Sequence, residues 1–257
     1  MTKLHQEVYN YLKSINATVK RMKVGIVGYR GKMGQAILAE AKNHADISVT
    51  IVHSRNLHSH PEIQVTDSIK GLVKECDIVI DFSRPETSLE VIELCIKNRV
   101  GVVCGTTGFT HDEMDQIRKF SKKGKIFYAT NMSLGIAVLS NAMQLVVEGL
   151  VKNGVSPEIS ILERHHKHKV DKPSGTAMTL ASIINHRFNN ATPDIVSLRY
   201  GSNVGEHDVI IATDLETIVL KHQATDRRVF AAGAVAAAKF LYNQDENKIY
   251  SMDDMVK

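Results

Sequence analysis

Cysteine is scarce. The 257 residues hold three, Cys76, Cys95 and Cys104, an odd number with neither zinc nor redox spacing, which fits a reducing compartment. Apolar residues do not gather into a run near the ~20 that a membrane span needs. The N-terminus shows no signal-peptide core followed by a cleavage site. We therefore expect a cytoplasmic protein without a membrane partner. Aromatic residues make up only 5% of the chain, and no basic stripe is interleaved with them, so nucleic acid is not an expected partner. Internal repeats and low-complexity segments are also absent. What remains is ordinary for a soluble globular chain: 43% hydrophobic and 23% charged residues, with a net charge of +4. That length suits one or two domains with a sizeable core, and the mild positive charge suits anionic small molecules.

Residues 1–21 read as an N-terminal extension, with Val8, Leu12 and Ile15 at helical spacing. From Lys23 the pattern alternates. Strands are expected at 23–28, 47–52, 77–82, 100–104 and 125–128, and helices at 33–41, 69–74, 85–97 and 111–122. Such alternation implies an α/β, Rossmann-like, doubly wound parallel sheet, with ligand sites at the strand ends.

Three of those strand-end loops carry chemistry. The first, Gly28-Tyr29-Arg30-Gly31-Lys32-Met33-Gly34, is a G-x-x-G-x-x-G turn between a strand and a helix. It is similar to the dinucleotide fingerprint, with Arg30 in place of the middle glycine, and Arg30 and Lys32 add charge where a pyrophosphate would lie. The second carries Ser54 and Arg55 where an acidic residue would grip the ribose of NAD, which tilts the cofactor towards NADPH; a solvated arginine is the bland alternative. The third, Cys104-Gly105-Thr106-Thr107-Gly108, would let a nicotinamide and its ribose lie against the backbone. Cys104 ends an apolar strand and reads as a buried structural thiol rather than a nucleophile.

After Tyr128 the character changes. Ser133 can cap a long helix through Leu150, a strand is expected over 159–163, a helix over 177–188, and further strands at 195–200, 208–213 and 216–220. This is a second α+β domain with a mixed sheet. A last helix over 228–242 can return to the first domain. The expected boundaries are 22–130 for the dinucleotide-binding domain, 131–225 for the substrate-binding and oligomerisation domain, and 226–257 for a segment packing back on the first.

The stretch around which the rest is organised runs Glu163-Arg-His165-His166-Lys-His168-Lys169-Val-Asp171-Lys-Pro173-Ser174-Gly175-Thr176-Ala177. It reads as a strand end and a loop feeding a helix that starts near Pro173 and Ser174. Free N–H groups at Gly175 and Thr176 make an anion site. Imidazoles and an ammonium beside that site suit a carboxylate-bearing substrate that must receive a proton. Solvated histidines, a zinc site and a bare helix start are the competing readings. The zinc reading lacks both the His-Glu-x-x-His spacing and paired cysteines.

Taken in order, that string closely resembles the signature of the dihydrodipicolinate reductases. The Gly28–Gly34 turn, Gly105–Gly108, Asn131-Met-Ser133, Gly205-Glu-His207 and Phe230-Ala-Ala-Gly-Ala234 follow the same family order. The resemblance implies reduction of the dihydrodipicolinate precursor with NADPH or NADH, on the route to diaminopimelate and lysine, by a homotetramer joined through its second-domain sheets. It implies His165 as proton donor and Lys169 as the essential lysine, with no metal. It places the small dicarboxylate substrate on His166, Lys169, Gly175 and Thr176. Its cofactor contacts fall on Gly28 to Met33, Gly105 to Thr107 and Ala129, Thr130, Asn131 and Met132, to which the loop reading above adds Arg55. Ser54 stands where many members carry an acidic residue. Met132 stands where Phe is frequent. A nucleotide-sensing protein of the same fold, without turnover, is the alternative.

Overall fold

The computed structural model describes residues 21–55, 60–188 and 192–257; apart from Arg21, the expected extension over 1–21 lies outside them. The chain first builds β1 (Met22–Val27), α1 (Lys32–Ala41), β2 (Ile47–His53), β3 (Gln64–Thr66), α2 (Ile69–Lys74), β4 (Ile78–Asp81), α3 (Pro85–Lys97), β5 (Gly101–Cys104), α4 (His111–Ser121) and β6 (Ile126–Tyr128). Near-continuous apolar strands such as Ile78-Val-Ile-Asp81 are buried on both faces, as parallel strands covered by helices must be. Ser68 caps α2, and Thr110 with Glu113 forms a capping box on α4.

The rest supplies α5 (Leu134–Lys152), β7 (Glu158–His165), α6 (Gly175–Arg187), β8 (Asp194–Arg199), β9 (Gly205–Ala212), β10 (Thr217–Ala224), α7 (Arg228–Tyr242) and β11 (Ile249–Tyr250). Two sheets result. The first has seven strands in the order β11-β6-β5-β4-β1-β2-β3, and its pairs are parallel. The second has four, β10-β9-β7-β8, and is mixed: β7 runs parallel to β8 and antiparallel to β9.

Each face of the first sheet has its own core. On one side Ile37 and Leu38 of α1 and Ala234, Val235 and Leu241 of α7 pack on Val24, Ile26 and Ile80. On the other, Leu72, Val91, Ile92 and Ile117 pack on Val27, Val79 and Val102. The C-terminal segment returns to this sheet, with Ile249 paired to Ile126. In the second unit, Leu139, Met143 and Val147 of α5 and Leu180 and Ile184 of α6 cover Ile159, Ile161, Val209 and Ile211. α5 is more apolar than the sequence reading allowed. Its 19 residues, with a mean hydropathy of 1.7 over its most apolar window, are long and apolar enough to cross a bilayer by length and composition alone; here it packs over the second sheet together with α6.

The structure corrects the expected outline in a few places. β3 and β11, of three and two residues, were not expected. β7 extends through His165 rather than ending at 163, so His165 belongs to a strand and not to the loop. Pro173 precedes the N-cap Ser174 instead of entering the first helical turn.

Candidate active site

The alternation of β7 sends Glu163 and His165 to the same buried face. Glu163 is fully buried. It is held by a fork from Arg199 on β8, with Nη1 donating to Oε2 at 2.8 Å and Nη2 to Oε1 at 2.6 Å. The Ser174 backbone N–H adds a third bond, at 3.3 Å. Burial alone would raise this carboxyl, but hydrogen bonds from Arg199, Ser197 and His165 outweigh it and hold the group at about 2. Glu163 is therefore ionised and can only accept. Its hydrogen bond with His165 Nδ1 requires the proton on that nitrogen, leaving Nε2 for chemistry. Burial pushes the His165 imidazole below its usual range, and the Glu163 carboxylate opposes that shift. A Cβ at Gly205 would sit 3.1 Å from His165 Nε2, so the missing side chain keeps that nitrogen's surroundings open.

His165 lies on the wall of a cavity of about 350 Å³ between the two sheets. Around the same space the structure gathers His166, Lys169 and Thr176 from the long motif, Met33 and Gly105 from the first unit, and Thr130, Asn131 and Met132 from the crossing segment. Asn131 Nδ2 donates to Thr176 Oγ1 at 2.8 Å, tying the crossing segment to the start of α6. Ser174 caps α6 by accepting from the Ala177 N–H at 3.2 Å, and Gly175 opens the helix beside it. Lys169 pairs with Asp171 at 2.7 Å.

A second cleft, of about 370 Å³, opens at the ends of β1, β2 and β4. Gly28, Arg30, Gly31, Ser54 and Arg55 line it, with Arg84 and Thr87 opposite. Gly28 has φ +78°, and a Cβ there would overlap the Phe82 carbonyl, so only glycine makes this turn. The described lining holds three arginines and no carboxylate, which is the electrostatics of a phosphate site. The glycine turn and this charge fit a dinucleotide, the group the fold implies. Phe82 lines both spaces.

Other expected contacts sit differently. Tyr29 puts its ring in the first core. Lys32 is exposed at the start of α1, and Thr107 is exposed after β5. Thr106 is buried, with its Oγ1 accepting from the Ser83 N–H at 3.0 Å. Ala129 faces a smaller neighbouring cavity. Cys104 is fully buried, and burial raises its thiol pKa, which makes it structural rather than nucleophilic.

Sequence reasoning assigned no role to Arg199, His207, His222 or Arg227. The last three line the cavity. His207 packs edge-on to His165, with ring centroids 5.2 Å apart, and its Nε2 lies 3.1 Å from Ser174 Oγ. Burial, then the nearby His165, pushes its pKa down to about 4. Glu163, His165 and His207 bring possible ligand atoms within 4.8 Å of one another. Both carboxylate oxygens already accept from Arg199, however, so Glu163 reads as the anion of a buried ion pair beside two imidazoles rather than as part of a metal cage.

Residues 22–132 match the N-terminal part of dihydrodipicolinate reductase and residues 135–256 its C-terminal part. Relatives called 4-hydroxy-tetrahydrodipicolinate reductase include one from Sulfurovum sp., 34% identical over 254 residues, covering 90% of this chain and 98% of that one. Another, from Clostridium tetani, is 35% identical over 252 residues, covering 91% and 97%. Among solved structures, a dipicolinate-bound dihydrodipicolinate reductase from Paenisporosarcina sp. superposes with a TM-score of 0.79 at 22% identity, over 91% of this chain and 99% of that one, a likeness of fold. With matched parts that together span nearly the whole chain from Met22 onwards, this protein belongs to the dihydrodipicolinate reductase family.

Proposed function

We propose that the chain reduces the cyclic 4-hydroxy-tetrahydrodipicolinate precursor with NADPH in preference to NADH, a step towards diaminopimelate and lysine. The observation that carries this reading is the position of His165: buried, held through Nδ1 by an ionised carboxylate, and placed on one cavity wall with Lys169, Thr176, Gly105 and Asn131. When bound, the nicotinamide supplies a hydride. Gly28, Arg30, Gly31 and Arg55 would hold its phosphates, and Met33, Gly105 and Thr130 to Met132 would hold the ring end. The Gly175 and Thr176 N–H groups, His166 and Lys169 take the substrate carboxylates by charge-assisted bonds. As an imidazolium, keeping its Nδ1–H on Glu163, His165 passes its Nε2 proton to the substrate as general acid, with Lys169 beside it.

The cleft arginines and the missing acidic partner support the NADPH preference. The division into 22–130, 131–225 and a returning 226–257 follows the two sheets and the pairing of β11 with β6. The outer face of the second sheet carries half-exposed Val196, Leu198 and Val219 beside the Arg164–Asp208 pair. That face is the surface through which we place a homotetramer, in the cytoplasm. The framework around His165 gives no support to a sensor without turnover.

The test is oxidation of NADPH, and separately of NADH, with freshly made product of dihydrodipicolinate synthase. Substrate-dependent turnover is expected, with the larger kcat/KM for NADPH. Cofactor binding without turnover would overturn the reading in favour of the sensor.

A further inference from the structure

Arg199 does more than neutralise Glu163. It ends β8, in register with His165 on the parallel neighbour β7, and its side chain is only 6% exposed. Besides the fork on Glu163, Nη2 donates to the Asp171 carbonyl at 2.6 Å and Nη1 to the Leu198 carbonyl at 2.8 Å. Asp171 is the residue whose carboxylate holds Lys169. One rigid guanidinium thus touches the partner of the proton donor on one side and the partner of the lysine on the other. A planar fork suits this, because fixing one edge on a carboxylate fixes the other donors too. A lysine ammonium has no such second edge.

We infer that Arg199 is a positioning residue, holding His165 through Glu163 and Lys169 through Asp171 in one frame, so that the proton donor and the carboxylate-binding lysine keep a fixed separation. This rests on the reductase reading for its kinetic consequences, but not for its geometry. The titratable groups around the His165 ring are Glu163 from β7, Arg199 from β8, His207 from β9 and Lys169 from the loop. Of these, only Glu163 favours the imidazolium. Its removal lowers the pH to which His165 stays protonated; removal of the guanidinium that offsets it does the opposite.

Three variants and one activity-independent measurement test this. Glu163→Gln should move the alkaline limb of kcat/KM to lower pH by about one unit or more, the usual effect of losing an opposite charge. Arg199→Lys keeps the charge but loses the second edge. It should lower kcat about 10- to 100-fold, as expected for losing charge-assisted hydrogen bonds, and raise substrate KM while nucleotide KM stays put. The double variant Glu163→Gln/Arg199→Met removes the buried pair together, leaves no lone charge to unfold the site, and should have its limb between those of Glu163→Gln and the wild type, because the offsetting guanidinium is gone too. Separately, ring-nitrogen NMR of the wild-type protein should show His165 with its proton on Nδ1. Profiles of all three variants that overlay the wild type would overturn the inference, as would a neutral His165 ring with its single proton on Nε2. Absence of wild-type turnover with Nδ1 protonated would sink the reductase reading alone.

Discussion

Replacing Arg55 by alanine isolates the choice between the two nicotinamide cofactors. The guanidinium lines the phosphate cleft, and one of its five donors is already used, Nη2 to Thr87 Oγ1 at 3.0 Å. Thr87 lies in the first turn of α3, so this bond anchors the guanidinium in the cleft. A 2′-phosphate placed there would gain charge-assisted bonds that a 2′-hydroxyl cannot match. Losing one such interaction costs about 1.5–3 kcal/mol, or roughly 10- to 150-fold in affinity. Arg30 and Arg84 stay in the cleft and keep the pyrophosphate attraction, so NADH should weaken by less than about threefold, a few tenths of a kcal/mol. The assay is fluorescence titration of each nucleotide, backed by the ratio of kcat/KM values. The bond to Thr87 is partly exposed, so the fold should hold. An equal loss for both nucleotides would refute the reasoning, because it would make Arg55 a pyrophosphate contact or a structural residue.

Three further outcomes follow from the site and its frame. His165→Ala should lower kcat by ~10²–10⁴, the usual worth of a general acid, while nucleotide affinity measured by titration is unchanged; near-normal turnover would remove it from the role. Gly233→Ala would drive a methyl into the Met132 carbonyl, costing about 1–3 kcal/mol as overpacking does, and calorimetry should show a Tm lower by several degrees. Unfolding free energy should fall in acid in two stages. The buried neutral His207 has its pKa lowered from 6.5 to about 4, so its contribution, on the order of 3 kcal/mol, is present above 6.5 and lost as pH falls through 4. Glu163, lowered from 4.5 to about 2, contributes above 4.5 and loses that contribution as pH falls through 2, while Asp81, raised by burial, works in the opposite direction. Urea melts near neutral pH and near pH ~4 would show it, and an unchanged midpoint would contradict a neutral His207.

The elements that the sequence made legible are those with strong local signals. Pro85 at a helix start and Leu89, Ile92 and Ile96 on one side gave α3 its observed limits. Ser133 and Ser174 marked both caps correctly. β3 was hidden because three residues offer no periodicity, and β11 because two residues become a strand only when β6 lies beside them. The end of β7 was hidden too: His165 lies in the strand because Arg164 pairs with Leu198 and Glu206 on its neighbours, and a charged Glu-Arg-His run looks like loop without them. The site divides the same way. The histidines, the lysine and the glycine turn are contiguous motifs and could be read, whereas Arg199 reaches Glu163 across 36 residues of chain, and no spacing announces it.

The chain passes between its two sheets twice, once at 129–133 and again at 225–228. Both passages border the cavity, through Thr130, Asn131 and Met132 on one and Arg227 on the other. A body joined to another by one thread can swing in any direction. Joined by two, it is left chiefly with rotation about the line through both. Gly233 of α7, the helix that the second passage leads into, packs against the Met132 carbonyl of the first and ties the two together. Any opening of the cavity is therefore a door's motion, in which residues on the axis stay still while His165 and Lys169, on the leaf, move towards Gly105 or away from it.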